Sequence, residues 1–178
     1  MNNASLLLDK GVDAVDGKVG TVHDLYFDEN TWTVRYMVVD TGKWLSGRKV
    51  LVAPEAIVKP WHHQPEIAIK LTTEQIRSGP DLDATMPMVD QKLRSANELA
   101  GYHVQAADGE VGEVDDLLLD DELSRILFLV VEVKGVLFGK KVLAGPSLIS
   151  RVDGEAFTVH VDGNRQALKN SQEYNPAA

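Results

Sequence analysis

The chain has 178 residues, a formal net charge of −9 and a calculated pI near 5.0, with 44% hydrophobic and 25% charged residues. Nucleic-acid binding depends on neutralising phosphates, so we do not expect an acidic chain without a basic stripe to bind nucleic acid as its main role. The chain has no cysteine, which excludes disulfides and thiol chemistry and fits the cytoplasmic location that we expect.

Neither a signal peptide nor an integral membrane segment is predicted. The opening residues MNNASLLLDK have no basic start, no long apolar core and no cleavage site. The longest apolar run, Ile126 to Val131, is far shorter than the roughly 18 residues of a membrane span.

Short strands and turns dominate the predicted elements. Asp-Gly is a hairpin signal, proline ends a strand because it cannot donate to the ladder, and threonine followed three residues later by glutamine caps a helix. In chain order these rules predict a strand at 11–14, an Asp16-Gly17 turn, strands at 17–28 and 32–40, a strand that ends at Pro54, a strand at 67–71 and a short helix after Thr72.

The second half of the chain repeats the first at an offset of 92 residues. Residues 108–149 align with residues 16–57 without a gap, and 17 of the 42 positions are identical. This similarity indicates an internal duplication. Gly20 and Gly112 fall inside equivalent strands, where glycine is typical of a bulge or sharp bend. Ser95, with Glu98 three residues on, predicts a capped short helix.

The repeat predicts two domains, at residues 4–77 and 94–169. Residues 78–93 are rich in proline, glycine and aspartate and form the predicted linker, and residues 170–178 form a predicted flexible tail. About four short strands in each unit, with closely spaced turns, predict a mainly all-β fold. We therefore expect two tandem small antiparallel β-barrels with short helices.

The loop between the third and fourth strands is apolar at its tip in both units. Two interpretations stay open. Each tip folds back into its own barrel, or the tips pack on the sister barrel, a second subunit or a partner, because open apolar surface is an aggregation hazard. The basic pairs beside the tips either contact a partner or lie on a solvated strand face. The candidate partner-contact residues are Trp44, Leu45, Arg48, Lys49, Val136, Leu137, Phe138, Lys140 and Lys141.

Titratable residues offer alternatives with a chemical role. Adjacent histidines point apart on an extended chain, so His62 and His63 would need further ligands, such as His23 or His160, to hold a metal; otherwise they lie in an exposed loop. Paired carboxylates do acid–base work when they share a pocket, and otherwise accept hydrogen bonds from nearby backbone. The recurring carboxylates are Asp24 and Asp116.

Motifs of known catalytic sites are missing from the sequence. It contains no phosphate-binding P-loop, no nucleophile elbow and no HExxH pair. We therefore predict no catalytic residue, no metal ligand and no cofactor, and we do not expect an enzyme.

The second unit carries a recurring pattern: a Glu-Leu-x-Gly opening, an Asp-Gly turn, an apolar strand and a closing proline. Its residues are Glu98, Leu99, Gly101, Val104, Asp108, Gly109, Gly112, Val114, Asp116, Val130, Val131, Val142, Leu143, Pro146 and Ile149. This pattern resembles the PRC-barrel domain, and the first unit resembles it from Asp16 to Ile57 without the Glu-Leu-x-Gly opening. The resemblance implies a small β-barrel used for protein–protein contact, with no catalytic residue common to the family. Related domains occur in the photosynthetic reaction-centre H subunit and in a ribosome maturation factor.

Together these observations predict a non-enzymatic protein-interaction or scaffold module. The family resemblance also implies a possible role as a stress-linked adaptor. We expect a protein partner of unknown identity and self-association through the apolar tips, with a homodimer as the simplest assembly. The alternative is a small-molecule- or metal-responsive protein with its site between the barrels. A third interpretation, a hydrolytic enzyme, requires a deep pocket around Asp24 or Asp116.

Overall fold

A computed structural model describes residues 1–61, 64–85, 92–135 and 139–176. The predicted contact residues Val136, Leu137 and Phe138 lie outside the described residues, as do His62 and His63. The fold is therefore described for both repeats without the second apolar tip.

Strands alternate with short turns and very short helices along the described chain. The first repeat contains β1 (Asn2–Asn3), β2 (Gly11–Ala14), β3 (Gly17–Asp28), β4 (Thr33–Asp40), β5 (Lys49–Val52), β6 (Ile67–Ala68), α1 (Thr73–Ser78) and α2 (Leu82–Thr85). The second contains β7 (Leu93–Ser95), α3 (Ala96–Leu99), β8 (His103–Ala106), β9 (Gly109–Leu119), β10 (Ile126–Val133), β11 (Lys141–Ala144), β12 (Ile149–Asp153), β13 (Thr158–Val161) and α4 (Arg165–Lys169). Short 3-10 turns lie at Ala4–Leu6, Pro54–Ala56 and Pro146–Leu148.

Each repeat builds its own sheet. The strand order is β5-β4-β3-β2-β6 in the first sheet and β11-β10-β9-β8-β13-β12 in the second. Two pairs, β2–β6 and β8–β13, are parallel, whereas turn spacing predicts antiparallel pairing throughout. The mainly β class with short helices is confirmed, but within the described residues the hydrogen-bonded sheets do not close on themselves.

Gly20 and Gly112 are confirmed as positions where the backbone bends closely over a neighbouring strand. A Cβ atom at Gly20 would lie 1.9 Å from the carbonyl oxygen of Asp40, and one at Gly112 would lie 1.9 Å from that of Glu132. The pairing register shifts beside both glycines, as it does at a bulge. No larger residue fits such an approach without moving the backbone.

The helix starts follow the predicted capping pattern. The Thr72 hydroxyl accepts from the Gln75 backbone N–H at 3.2 Å, and Gln75 Oε1 accepts from the Thr72 N–H at 2.9 Å. The aspartate of each Asp-Gly turn adds a second cap. Asp16 accepts from the Thr73 N–H at 2.7 Å, and 92 residues later Asp108 accepts from the Arg165 N–H at 2.7 Å. The turn and the helix thus stabilise each other in both repeats.

The segments that follow α1 and α4 occupy equivalent places in the two repeats, each along the edge strand of its sheet. Leu51 N donates to Pro80 O at 3.0 Å, and Leu143 N donates to Gln172 O at 2.9 Å. Part of the predicted linker therefore lies along β5, and part of the predicted flexible tail lies along β11.

Tyr174 gives a physical reason for the position of the tail. It packs on a cluster made of Leu118, Val130 and Leu143, on the face of the second sheet opposite the main core. Its hydroxyl donates to Asn3 Oδ1 at 2.8 Å. Partial burial of this aromatic ring offsets the polar composition from which a flexible tail is predicted.

One hydrophobic core includes residues from both repeats. Its fully buried side chains include Phe27 and Met37 from the first repeat and Leu117 and Leu129 from the second. Trp32 stacks on Phe27 with ring centroids 5.2 Å apart. The two repeats are therefore packed together and do not hang independently from a linker.

Candidate functional site

The repeats are joined by a reciprocal exchange of their N-terminal segments, which we call the arms: residues 2–8 and 94–100. β1 of the first arm pairs with β9 in the second repeat, where Asn3 lies opposite Leu118. β7, which leads into the second arm, pairs with β3 in the first repeat, where Ser95 lies opposite Tyr26. The two pairings are related by the same 92-residue offset as the sequence repeat.

Asp116 anchors the first arm. Its Oδ2 accepts from the Ser5 hydroxyl at 2.5 Å and from Asn3 Nδ2 at 2.7 Å. Its Oδ1 accepts from the Ser5 N–H at 3.2 Å and from the Leu117 N–H at 2.8 Å. Both carboxylate oxygens are therefore occupied by the arm and by the strand itself.

Asp24 anchors the second arm in the equivalent way. Its Oδ2 accepts from the Ser95 hydroxyl at 2.5 Å, and its Oδ1 accepts from the Asn97 N–H at 3.0 Å and the Leu25 N–H at 2.7 Å. Asp24 and Asp116 are each only 6% exposed. A buried carboxylate needs such partners, because an unpaired one would be strongly destabilising.

Further side-chain contacts, one of them an ion pair, add to these anchors. Arg94 Nε lies 2.6 Å from Glu29 Oε2, and at the equivalent positions Asn2 Nδ2 donates to Asp121 Oδ1 at 2.9 Å. Burial raises the pKa of the Tyr26 hydroxyl, and the nearby Asp24 carboxylate raises this pKa further.

The pseudo-two-fold axis passes between Thr33 and Arg125, which form an isolated antiparallel bridge and are 92 residues apart. Ile126 N donates to the Trp32 carbonyl at 2.9 Å, and Val34 N donates to the carbonyl of residue 124 at 2.8 Å. Each contact has its counterpart under the offset. The junction therefore has the form of an isologous dimer interface within one chain.

A cavity of about 140 Å³ lies between the arms. Its volume is below the roughly 300–1,000 Å³ of sites that enclose drug-sized ligands. It is close to that of an apolar cavity of about 150 Å³ that accepts benzene. The lining residues are Ala4, Ser5, Leu8, Leu25, Ala96, Asn97, Ala100, Asp115, Asp116 and Leu117.

The first apolar tip divides its side chains between core and surface. Leu45 is partly buried and packs against the main core. Trp44 remains 37% exposed, and the guanidinium carbon of Arg77 lies 5.9 Å from its ring centroid, within the range of a cation–π contact. The interpretation that the tip folds back onto the core thus applies to Leu45, whereas the contact of Trp44 with a partner stays a prediction.

The first residue of each basic pair is used within its own repeat. Arg48 donates to the carbonyl of Arg77 at 2.9 Å and forms an ion pair with Asp81 at 3.1 Å. Lys140 donates to the carbonyl of Lys169 at 2.8 Å. Both basic side chains therefore stabilise the C-terminal end of a helix.

The second residue of each pair lies at the start of a strand. Lys49, opposite Asp40 in the β4–β5 ladder, is half-buried. Lys141 lies 2.7 Å from Asp115, and this hydrogen bond raises the pKa of the lysine. Lys141 is thus held by an acidic neighbour on its own sheet.

Of the histidines singled out from the sequence, His23 and His160 lie among the described residues. His160 Nε2 lies 3.0 Å from an Arg151 nitrogen, and His23 lies half-buried on β3. Neither belongs to the single group of three potential metal ligands found among the described residues.

A family model for the PRC-barrel domain matches residues 6–69 and 92–166. The chain belongs to the PRC-barrel family. The two matched segments make it a tandem PRC-barrel protein, and this assignment supports a non-catalytic module in general. No curated protein matches the chain. Within the described ranges, no helix has both the length and the apolar character needed to cross a membrane.

Sequence reasoning did not find the arms of this PRC-barrel pair. Ala4 and Leu7 of the first arm match Ala96 and Leu99 of the second, but the two residues between them differ in each case. In the first repeat Asp9 adopts a positive φ of 65°, at the position of Gly101 with φ of 97°. Aspartate tolerates the left-handed region better than most residues, so Asp9 can replace the glycine of the Glu-Leu-x-Gly opening. The opening is therefore not recognisable in the sequence of the first repeat.

Proposed function

We propose that this protein is a non-enzymatic PRC-barrel scaffold that acts as a cytoplasmic adaptor and contacts its protein partner through the first apolar tip. The observation that carries the proposal is Trp44, which stays exposed beside Arg77 while its neighbour Leu45 enters the core. Tryptophan and arginine are the residues most enriched at the energetic centres of protein interfaces.

The anchored aspartates support a binding role over a catalytic one. A hydrolytic enzyme would need Asp24 or Asp116 to face a pocket with a carboxylate oxygen available to substrate or water. Both oxygens of each residue instead accept hydrogen bonds from an arm or from backbone. The residues that repeat most clearly between the two halves thus serve the architecture.

Self-association is the simplest form of partner binding and can be tested with the purified protein. We expect purified wild-type protein to show a concentration-dependent rise in mass by light scattering, and Trp44→Ser to abolish that rise. Val15→Ser is the matched control, because Val15 is 69% exposed in the same repeat and lies away from the tip loop in sequence. A wild-type protein that stays monomeric at every concentration would remove self-association from the proposal.

A different protein partner is tested by capture with the same three proteins as bait. The scaffold proposal expects one partner that wild type and Val15→Ser retain and that Trp44→Ser loses. Equal capture by all three baits would show that the Trp44 surface is not the contact.

The cavity between the arms favours a second candidate function, the binding of a small apolar molecule. The cavity wall is largely formed by leucine and alanine side chains, and its volume limits the ligand to about the size of benzene. Benzene at 100 times its dissociation constant would add about 2.7 kcal/mol to the free energy of unfolding. Ala100→Leu should remove that stabilisation by filling the cavity, and no stabilisation of wild type would exclude this function for this probe.

A further inference from the structure

Three titratable side chains with no counterpart in the first repeat lie close together on the β8–β9 ladder of the second repeat. His103 and Glu113 lie directly opposite one another in the ladder, and Glu110 lies on the same strand as Glu113. His103 Nδ1 is 3.1 Å from Glu110 Oε1 and 3.6 Å from Glu113 Oε1. One ligand atom from each of the three residues lies within 4.8 Å of the others.

The ammonium group of Lys134 lies between the two glutamates, where a metal cation would bind. Lys134 Nζ lies 2.6 Å from Glu110 Oε1 and 2.8 Å from Glu113 Oε1. The same ammonium thus bridges both carboxylates. All four side chains are about half exposed, and exposed ion pairs of this kind contribute little to stability. A divalent cation would therefore displace the ammonium at small cost.

The first repeat provides an internal comparison. The positions equivalent to His103, Glu110 and Glu113 are held by Gly11, Lys18 and Thr21. β2 and β3 nevertheless pair in the same register as β8 and β9, including the shift beside the glycine. The three side chains are thus not needed to build the ladder, and the equivalent positions of the first repeat do not share them.

We propose that His103, Glu110 and Glu113 form a site for a divalent transition-metal ion such as Zn²⁺, from which Lys134 withdraws when the metal binds. An imidazole nitrogen with two carboxylate oxygens is a set that zinc accepts, with a water completing the tetrahedron. Mg²⁺ and Ca²⁺ prefer oxygen ligands throughout, so the imidazole disfavours them. The site lies on one repeat and is independent of the Trp44 surface.

Calorimetric titration of the full chain with ZnCl₂ tests this site, with MgCl₂ as the comparison. We expect wild type to bind Zn²⁺ in preference to Mg²⁺. His103→Gln should weaken Zn²⁺ binding by at least the tenfold to hundredfold that loss of even a supporting residue costs. Lys134→Met should tighten it, because the competing ammonium is gone. His160→Gln is the control and should bind as wild type does.

Three outcomes would overturn the proposal. They are no Zn²⁺ binding by either wild type or Lys134→Met, equal binding by wild type and His103→Gln, and binding by Lys134→Met that is no tighter than wild type. Thermal melts without metal establish that each variant is folded. Because these side chains lie on a ladder that the first repeat builds without them, we expect the variants to melt close to wild type.

Discussion

Ser95 donates its hydroxyl to Asp24 at 2.5 Å across the boundary between the two repeats. The same hydroxyl oxygen accepts from the Glu98 N–H at 2.9 Å and so caps α3. One hydroxyl therefore links the docking of the arm to the start of the helix inside it. The arm and the helix are expected to form together, because neither has all its hydrogen bonds without the other.

Asp24→Ala should destabilise the protein by about 1–3 kcal/mol or more, because it leaves buried donors of the second arm unpaired. Asp116→Ala should cost a similar amount, since its partners are equivalent. The control is Asp115→Ala, whose surface ion pair with Lys141 is worth about 0–1 kcal/mol. Urea denaturation measures the differences, and an Asp24→Ala protein as stable as the control would contradict the anchoring role.

Gly20→Ala and Gly112→Ala should each lose at least about 1–3 kcal/mol of unfolding free energy, the usual cost of overpacking. The new methyl group would lie 1.9 Å from a backbone carbonyl oxygen, and backbone cannot move aside as a side chain can. Gly17→Ala is the matched control, because its Cβ would meet only Thr73 Cγ2 at an ordinary 3.7 Å. Equal stability of the Gly20 and Gly17 variants, by the same denaturation assay, would show that the strands can separate there.

Acid should reduce stability in part through Asp16 and Asp108. Hydrogen bonds from the backbone N–H groups of Thr73 and Arg165 lower the pKa of these carboxyls from the ordinary 3.8. Above pH 3.8 both states are ionised and the stabilisation is fully present, and it disappears as the pH falls through the lowered folded-state pKa. The difference in unfolding free energy between wild type and Asp16→Asn/Asp108→Asn should therefore shrink below pH 3.8. A difference that stays constant from pH 7 to pH 2 would argue against this linkage.

Arg48→Met should destabilise the first repeat more than Lys140→Met destabilises the second. Arg48 bonds the carbonyls of Arg77 and Gly79 and pairs with Asp81, whereas the bond of Lys140 goes to Lys169. We expect about 0.5–1.5 kcal/mol for a single hydrogen bond of this kind. Thermal melts against Lys49→Met as control measure the effect. If Arg48→Met instead abolished partner capture without changing the melting temperature, the residue would belong to the contact surface.

The elements inside each repeat were predictable from sequence because their causes are local. Strands β2 and β3 have the predicted bounds, and the turn at Asp16 and the cap at Thr72 have the predicted neighbours. Glycine at position 20 was predictable as a bend because only a residue without a side chain allows that approach. The family resemblance depended on the same local features, and the match to the PRC-barrel model confirms it.

The junction was not predictable because it depends on which of two equivalent surfaces an arm reaches. Ala4 and Leu7 of the first arm match Ala96 and Leu99 of the second, so these apolar residues do not distinguish pairing within a repeat from pairing between repeats. The polar anchors differ in type, with Asn3 and Ser5 in one arm and Ser95 and Asn97 in the other. The group at His103 was missed for a similar reason, since residues 103, 110 and 113 meet only through the ladder.

The exchange of arms has a consequence for how the two halves stay together. Each half contributes a strand to the other's sheet, so the interlocked strands hold the halves together in addition to the covalent chain. Evolution of this chain is constrained accordingly. Neither half can be lost, shuffled to another gene or replaced alone without exposing the edge and the buried carboxylate that its twin now covers.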